Sequence, residues 1–214
     1  MYLLDEHLWF PNPKLANEDG LLAVGGDLSA ERLLLAYQNG IFPWFSQGEP
    51  LLWWSPDLRM VLFPENLHIS KSMKQLLKQN KFRVTYNQDF KSVISACAEQ
   101  PRRGQEGTWI TSDMIDAYLN LHDLGHAISV EVYSEHSLVG GLYGIYLKEK
   151  RIFCGESMFT RQSNASKYGF IKLVQQLAKE GVKLIDCQMH TAHLASIGAE
   201  EIPRETFLRY LNDK

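Results

Sequence analysis

The sequence has few cysteines, no long apolar run and almost no net charge. Its 214 residues include only Cys97, Cys154 and Cys187, which are too far apart in sequence to form a close-spaced metal-binding pair. An odd number of scattered thiols is typical of reduced cysteines and not of a disulfide framework. No apolar stretch approaches the length that spans a bilayer, and the chain does not open on a basic segment followed by an apolar one. We therefore expect a cytoplasmic protein with no membrane segment.

Neither the overall charge nor the spacing of the histidines indicates a binding site. The formal net charge is −3, so any nucleic-acid site must be a local basic patch. His190 and His193 are close in sequence but have no third ligand nearby, so we predict neither a metal site nor another cofactor. Hydrophobic residues make up 45% of the chain and charged residues 22%, which is typical of a globular protein with a substantial core.

The chain is rich in tryptophan over one short segment. Trp44, Trp53 and Trp54 lie close together, and the segment is interrupted by prolines, so it cannot be one regular helix or one central strand. Some of these rings must therefore lie on loops, where they either seal a core or offer a stacking platform to a nucleobase. Core packing is the ordinary interpretation of a single tryptophan. For this cluster together with Trp109, we predict that at least one ring contacts a ligand.

The pattern of helices and strands changes near Pro64. Before it, the sequence predicts short elements, many loop residues and one helix over residues 29–39, with Ser29 as its N-cap and Gly40 just past its end. After it the elements are more regular. The predicted helices span 70–79, 90–99, 112–124 and 164–179, with shorter ones near 193–197 and 203–211. The predicted strands span 82–86, 127–133, 138–147, 151–158 and 182–187, and a loop is predicted over 101–107.

An antiparallel meander, then a helix, then a crossover to a further strand, predicts a mixed-sheet α/β (α+β) fold. This order resembles the second half of the acetyltransferase-like (GNAT) fold, in which splayed central strands hold an acyl donor beside an amine. The likeness assigns no chemistry. Coenzyme A is not favoured, because residues 161–166 contain no glycine for a pyrophosphate-binding turn. We expect a small N-terminal α/β domain over residues 1–63, packed on a GNAT-like domain over residues 64–214.

One predicted helix carries a basic stripe. Residues 70–81 include no acidic residue, and four lysines fall within an arc of roughly 80° opposite the apolar side chains. We call Lys71, Lys74, Lys78 and Lys81, with the adjoining Arg83, the lysine stripe. Like charges three or four residues apart repel by some tenths of a kcal/mol per pair. The stripe is either an ordinary solvated face or a contact surface for the phosphate backbone of a nucleic acid.

Polar side chains end a strand that is otherwise apolar. Strand alternation puts Asp186 and Gln188 on one face, opposite Ile185. The carboxyl end of a central strand is where ligand crevices open in α/β sheets, which favours a site at this pair. A buried hydrogen-bond network without a ligand is the alternative. Glu156 ends another apolar strand in the same way.

Several short motifs together resemble the leucyl/phenylalanyl-tRNA–protein transferase family. In chain order they are GLLAVGGDL (20–28), GIFPWF (40–45), WWSP (53–56), GTWIT (107–111), CGESMF (154–159) and LIDCQ (184–188). The resemblance runs from about Phe10 to Leu211. It implies transfer of an aminoacyl group, Leu or Phe, from charged tRNA to the N-terminal Arg or Lys of a protein, which creates a degradation signal. Because an apolar pocket discriminates only by hydrophobic contact, Met is expected to react weakly as well. It also implies a small N-terminal domain on a GNAT-like domain, and we expect a monomer.

The resemblance implies roles for single residues as well. Trp44 and Trp109 match the tryptophans that hold the terminal aminoacyl-adenosine, and Glu156 matches a carboxylate at its aminoacyl end. Asp186 and Gln188 match the catalytic pair beside the reacting ester. The lysine stripe would hold the tRNA backbone. The apolar pocket for the Leu or Phe side chain is expected from Leu142, Phe153, Phe170, Leu173, Leu177 and Ile185.

Two departures from the family pattern and two rival functions stay open. Thr191 stands where we expect a family asparagine, and the chain ends at Lys214 without a further aromatic tail. A GNAT-type acetyltransferase acting on a small amine would bind coenzyme A. A non-catalytic adaptor for N-terminal residues would have acidic residues around its binding cavity and no basic stripe.

An aminoacyl ester is already activated. The main task of the enzyme is therefore to align the ester with the amine, which is worth roughly 7–11 kcal/mol. Whether Asp186 takes a proton is left open.

Overall fold

The computed structural model describes residues 1–100 and 108–212, so the loop predicted over 101–107 lies outside the described residues. The strands are β1 (Tyr2–Leu4), β2 (Leu21–Gly25), β3 (Phe42–Pro43), β4 (Leu52–Trp54), β5 (Leu58–Leu62), β6 (Arg83–Tyr86), β7 (Ala127–Ser134), β8 (Ser137–Leu147), β9 (Ile152–Thr160), β10 (Leu184–Gln188) and β11 (Glu200–Pro203). The helices are α1 (Ala30–Gln38), α2 (Lys71–Lys78), α3 (Phe90–Glu99), α4 (Ser112–Asp123), α5 (Ala165–Lys179), α6 (Ala192–Ser196) and α7 (Arg204–Asn212).

Local chemistry sets both ends of α1. The Ser29 hydroxyl accepts a hydrogen bond from the backbone amide of Arg32, which satisfies a donor that the first helical turn leaves free. Gly40 follows the helix with a φ of +73°, and a Cβ at this position would lie 2.9 Å from a methyl carbon of Leu208 in α7. The positive φ and the close approach both require glycine, and they bring the end of α1 against the last helix.

The strands form two sheets. The smaller has the order β1-β2-β4-β3 and the larger the order β11-β5-β10-β9-β8-β7-β6. Strands β7 to β9 pair antiparallel as the predicted meander, and β6 pairs antiparallel with β7 at its edge. Strand β9 returns through α5 to pair parallel with β10. A helical crossover between parallel neighbours is what the GNAT-like prediction requires, and the mixed α/β fold is confirmed.

The change from one sheet to the other falls before the boundary placed at residues 63/64. Strand β5 lies on the N-terminal side of that boundary, but it pairs antiparallel with both β10 and β11 in the larger sheet. The smaller sheet ends with β4 at Trp54, so the transition lies between Trp54 and Leu58. Pro64 follows β5, and a short apolar strand carries no local mark of the sheet it joins. The domain boundary at residues 63/64 stays a prediction.

One hydrophobic core continues beneath both sheets. Its buried cluster combines residues of the N-terminal elements with residues of the larger sheet and of α4 and α7, including Leu22, Leu33, Trp53, Tyr118, Ile145 and Phe207. A second cluster lies between α5 and the centre of the larger sheet, and a third holds α2 against α5 through Met73 and Tyr168. Because both sheets share close-packed side chains, groups from both can be held against one cavity.

Candidate active site

A cavity of about 630 Å³ opens where β9 and β10 part. The two strands pair only from Leu184 with Ile152 to Asp186 with Cys154, although each strand continues further. Beyond the last pair, Glu156 on β9 and Gln188 on β10 line the opening. The carboxyl end of a parallel strand is a common ligand site in α/β sheets, so this cavity is the candidate active site.

Several predicted residues line the cavity, and they come from both sheets. Trp44 follows β3 of the smaller sheet, whereas Trp109 precedes α4. Leu142 on β8 and Phe170 on α5 form an apolar wall, which Met158 extends. With Glu156 and Gln188 added, the cavity is apolar on one side and offers hydrogen-bonding groups on another.

Four residues predicted for the apolar pocket do not line the cavity. They are fully or almost fully buried in the cluster that lies behind Leu142 and Phe170. This corrects the assignment of Phe153, Leu173, Leu177 and Ile185. A large apolar side chain suits a pocket wall and a core equally well, and only the packing of α5 on the sheet separates the two cases. These side chains support the wall and do not form it.

Asp186 is fully buried and ion-paired with Arg59 of β5. The Arg59 Nε and Nη2 atoms each donate to a different carboxylate oxygen of Asp186 at 2.7 Å. The guanidinium lies between the rings of Phe42 and Phe207, 4.7 Å from each centroid. The backbone amide of Gln188 donates a third hydrogen bond, to Asp186 Oδ1 at 3.0 Å. Asp186 does not line the cavity, and its carboxylate anchors the end of β10 from behind.

The backbone changes direction at Gln188. Its φ is 56°, and the pairing of β10 with β5 shifts register so that Asp186 lies opposite Val61 and Gln188 opposite Met60. A bulge of this kind re-aims a side chain. The alternation predicted for β10 therefore does not hold past Asp186. The Gln188 side chain faces the cavity and donates from Nε2 to Glu156 Oε1 at 3.0 Å.

Glu156 lies at the centre of a hydrogen-bond chain that joins both halves of the protein. The hydroxyl of Tyr118, on α4, donates to Glu156 Oε2 at 3.1 Å. Tyr118 is in turn hydrogen-bonded to Tyr37 on α1. Burial, with a further contribution from the Glu156 charge, raises the pKa of both phenols well above their usual value. The two tyrosines therefore stay protonated and act as donors.

Burial raises the pKa of Glu156 to about 7. Hydrogen bonds from Tyr37, Tyr118 and Gln188 favour the ionised form and act against burial, whereas the charge of Asp186 raises the pKa further. The carboxyl group consequently changes charge near neutral pH. Groups poised in this range can both accept and return a proton, and they are concentrated in active sites.

The tryptophans divide between core and cavity. Trp53 is fully buried, and its Nε1 donates to the backbone oxygen of Gly25 at 2.9 Å. Trp44 and Trp54 are half-buried, with ring centroids 5.6 Å apart. Trp44 and Trp109 contribute to the cavity lining. The core interpretation is confirmed for Trp53, whereas ligand contact by Trp44 or Trp109 stays a prediction.

The lysine stripe is exposed along α2 and into β6. All its members face solvent, whereas Met73 on the opposite side of α2 is buried. The Arg83 guanidinium lies over the ring of Tyr133, 4.3 Å from its centroid. The predicted amphipathic helix is confirmed, and its basic side is accessible.

Thr191 caps the short helix that follows β10. Its Oγ1 accepts a hydrogen bond from the backbone amide of Leu194 at 3.1 Å, at the start of α6. Asparagine and threonine are both preferred N-cap residues. The departure from the family pattern at this position therefore preserves the local helix start beside the cavity.

Arg59, Tyr37 and Tyr118 belong to the site but are not among the residues predicted from sequence. A signal exists for Arg59, because it is the one charged residue in the apolar strand Leu58–Leu62, and a buried charge needs a partner. Tyr37 and Tyr118 lie on helices far apart in sequence, and no local pattern brings them together.

The described residues contain no group of His, Cys, Asp and Glu side chains that could hold a metal ion. None of the helices within residues 1–100 and 108–212 has both the length and the apolar character to cross a bilayer. Cys97, Cys154 and Cys187 form no disulfide within the described residues, and burial raises the pKa of the Cys154 and Cys187 thiols.

The mixed sheet, whose parted strands open on a cavity with an apolar wall and hydrogen-bonding groups, defines a GNAT-like α/β protein with one candidate active site among its described residues. The chain belongs to the leucyl/phenylalanyl-tRNA–protein transferase family, which makes it an aminoacyltransferase. The family's sequence model matches residues 61–212, and that of the family's N-terminal domain matches residues 26–57.

Two relatives show how close this membership is. The leucyl/phenylalanyl-tRNA–protein transferase of Christiangramia forsetii is 62% identical over 211 residues, which cover 99% of this chain and 100% of the relative. That of Flavobacterium johnsoniae is 56% identical over 214 residues and 100% of both chains. A solved GCN5-related N-acetyltransferase from Kribbella flavida is 10% identical, with a TM-score of 0.43 over 80% of this chain and 59% of that chain. At that score the likeness carries no weight, and the fold class rests on the strand order.

Proposed function

We propose that this chain transfers Leu or Phe, and Met more slowly, from aminoacyl-tRNA to the α-amine of proteins that begin with Arg or Lys. The added residue would act as a signal for degradation. The observation that carries the proposal is the cavity of about 630 Å³, which combines two tryptophans, an apolar wall and the Gln188–Glu156 pair. The names of relatives up to 62% identical support the aminoacyl-tRNA donor and the protein acceptor.

The cavity suits the end of a charged tRNA. Trp44 and Trp109 would stack on the terminal adenine, since base stacking on an aromatic side chain is strong and tolerant of sequence. The Leu or Phe side chain would lie against Leu142, Met158 and Phe170. An apolar wall discriminates by only about 1–3 kcal/mol per methylene, so Met should react at a reduced rate.

Alignment of amine and ester is the main catalytic contribution in this proposal. The aminoacyl ester is already activated, and correct placement of the two reactants is worth roughly 7–11 kcal/mol. The Gln188 amide would hydrogen-bond the attacking amine or the developing oxyanion. Asp186 would contribute by anchoring the backbone of Gln188, because its carboxylate accepts hydrogen bonds from Arg59 and from the backbone amide of Gln188.

The same proposal places the protein in the bacterial cytoplasm, where charged tRNA is available. Cysteines that form no disulfide within the described residues fit that reducing compartment. We propose a monomer without a cofactor, because a single chain supplies the cavity lining and the ester needs no further activation.

The deciding assay is transfer of labelled Leu from charged tRNA to a peptide that begins with Arg. We expect labelled peptide with an Arg or Lys start and none with an acidic start. Acetylation of a small amine by acetyl-coenzyme A, without transfer from tRNA, would favour the acetyltransferase. Binding of the Arg peptide without any product would favour the adaptor.

The lysine stripe is proposed to bind tRNA backbone without reading its sequence. Reversing Lys74 and Lys78 to Glu should raise the Michaelis constant for charged tRNA and reduce the salt dependence by about one counterion per lost phosphate contact. Reaction with a minimal aminoacyl-adenosine donor should be almost unchanged, because that donor has no backbone to contact. Steady-state kinetics with both donors, over a range of salt concentrations, test this.

The matched control makes the same charge change elsewhere. Lys148 and Lys179 are exposed on the turn after β8 and in the last turn of α5. Reversal of these two should leave the Michaelis constant for charged tRNA close to that of the unmodified protein. Equal losses with both donors in the Lys74/Lys78 variant would show instead that α2 has a purely structural role.

A further inference from the structure

The strand pattern of β10 favours Asp186 as the carboxylate beside the ligand. In the structure, the carboxylate that lines the cavity is that of Glu156. Among the described lining residues, Glu156 is the only Asp or Glu. Asp186 lies behind the lining with both oxygens bonded to Arg59, and its Oδ1 also accepts from the Gln188 amide. A carboxylate closed by a bidentate arginine pair is poorly placed to take a proton from a substrate.

Gln188 does not take up a proton either. A carboxamide is not basic near neutral pH, so its side chain can only donate or accept hydrogen bonds. Its Nε2 donates to Glu156 Oε1 at 3.0 Å. An amine hydrogen-bonded to Gln188 therefore lies beside the Glu156 carboxylate, whose two oxygens together offer about four lone-pair sites.

We propose that Glu156 is the catalytic residue that carries the proton in aminoacyl transfer, with Gln188 as the group that aligns the amine and Tyr118 as the residue that positions the carboxylate. The inference rests on the proposed function and deepens it. Tyr118 is held by Tyr37, so α1 and α4 both orient Glu156 from outside the larger sheet. Catalysis at Glu156 thus depends on the contact between the N-terminal elements and the larger sheet.

The step balances without any added reactant. The neutral acceptor amine attacks the ester carbonyl carbon, and the new C–N bond forms as the amine N–H proton passes to a Glu156 oxygen. The C–O bond to the ribose then breaks, and the electron pair leaves with the ribose oxygen. Glu156 returns the same proton to that oxygen, so the carboxylate is regenerated with an amide and a free ribose hydroxyl as products. Proton transfer of this kind typically contributes 10²–10⁴-fold.

The pH dependence also depends on the charges around Glu156. The titratable and charged groups packed near it or along the cavity are Tyr37, Tyr118, Tyr143, Cys154, Cys187, Asp186 with its partner Arg59, His190 and His193. Burial raises the pKa of the Tyr37 and Tyr118 phenols and of the Cys154 and Cys187 thiols, so these groups stay protonated near pH 7, and Asp186 is ion-paired with Arg59. Of the groups in the hydrogen-bond chain, Glu156 is the one that titrates near neutral pH.

The test compares Glu156→Gln with Glu156→Asp over pH, with charged tRNA and an Arg peptide. We expect Glu156→Gln to lower kcat by about 100- to 10,000-fold with a small change in the Kd for aminoacyl-adenosine. At low pH, kcat/KM for the acceptor should depend on two ionisations in the unmodified enzyme, the carboxylate and the amine with its pKa near 8. Only the amine ionisation should remain in Glu156→Gln. Glu156→Asp should keep both.

Thermal melting and donor binding identify any variant that fails to fold. If Glu156→Gln folds and binds donor but retains kcat, or keeps both ionisations, the proton-carrier role is overturned while the transferase function stands. If the unmodified enzyme gives no labelled peptide, the proposed function fails instead. Tyr118→Phe supplies the positioning readout: kcat should fall less than in Glu156→Gln, and the lower ionisation should shift to higher pH because a donor to the carboxylate is lost.

Discussion

Replacing Arg59 with methionine should lower the free energy of unfolding by about 3–5 kcal/mol, because the carboxylate of Asp186 is left buried without its partner. Both partners are essentially inaccessible to solvent, at 1% and 0% exposure, so water cannot replace the lost hydrogen bonds. Urea unfolding followed by circular dichroism measures the change. Asp186→Asn should be destabilising for the same reason, since it leaves the guanidinium uncompensated between two aromatic rings.

The control is an exposed ion pair on the same protein. Lys14 and Glu205 are separated by 3.2 Å at the surface, and Lys14→Met should leave the unfolding curve nearly unchanged. Combining Arg59→Met with Asp186→Leu should restore much of the stability, since apolar replacement of a buried pair is often neutral. The transfer rate should stay low in the double variant, because the backbone amide of Gln188 has lost the Asp186 carboxylate that anchors it. Full recovery of the rate would show that the pair serves stability alone.

Trp53→Ala should destabilise the fold by about 3–5 kcal/mol, the usual cost of removing a buried Trp or Phe ring. The side chain is fully buried, packs edge-on against Phe10 at 4.8 Å between ring centroids, and bonds the backbone oxygen of Gly25. The substitution leaves a cavity and removes that hydrogen bond at once. A drop in Tm, measured by calorimetry, is the expected result.

Trp109→Ala is the matched substitution on the cavity. Its Tm should change much less. The free energy of binding aminoacyl-adenosine, obtained from the Kd, should become less favourable by about 1–3 kcal/mol, the usual contribution of one base stack. Trp109→Phe should recover part of the affinity, because a smaller ring still stacks. If Trp109→Ala unfolds at ordinary temperature while Trp109→Phe is fully active, the ring is part of the core and does not stack on the donor.

Much of the larger sheet is predictable because its elements are long and their periodicity is clear. The meander β7 to β9 and the helices α2, α3 and α5 lie within one or two residues of their predicted bounds. The short strands β1 to β5 and β11 are not predicted, whereas β6 and β10, which are of similar length, are. The membership of β5 in the larger sheet depends on long-range pairing, which no local pattern encodes.

The candidate site divides in the same way. Sequence alone determines the family, the basic and apolar sides of α2, and the residue types at the ends of β9 and β10, because these follow from chain-local motifs and periodicity. Only the tertiary structure decides which of those residues reach the cavity. The bulge at Gln188 and the buried Arg59 turn Asp186 away, while Tyr37 and Tyr118 meet at Glu156 from distant helices. The physical reason is that a buried charge must satisfy its hydrogen bonds with whatever the fold brings near, and that partner is set by packing and not by position along the chain.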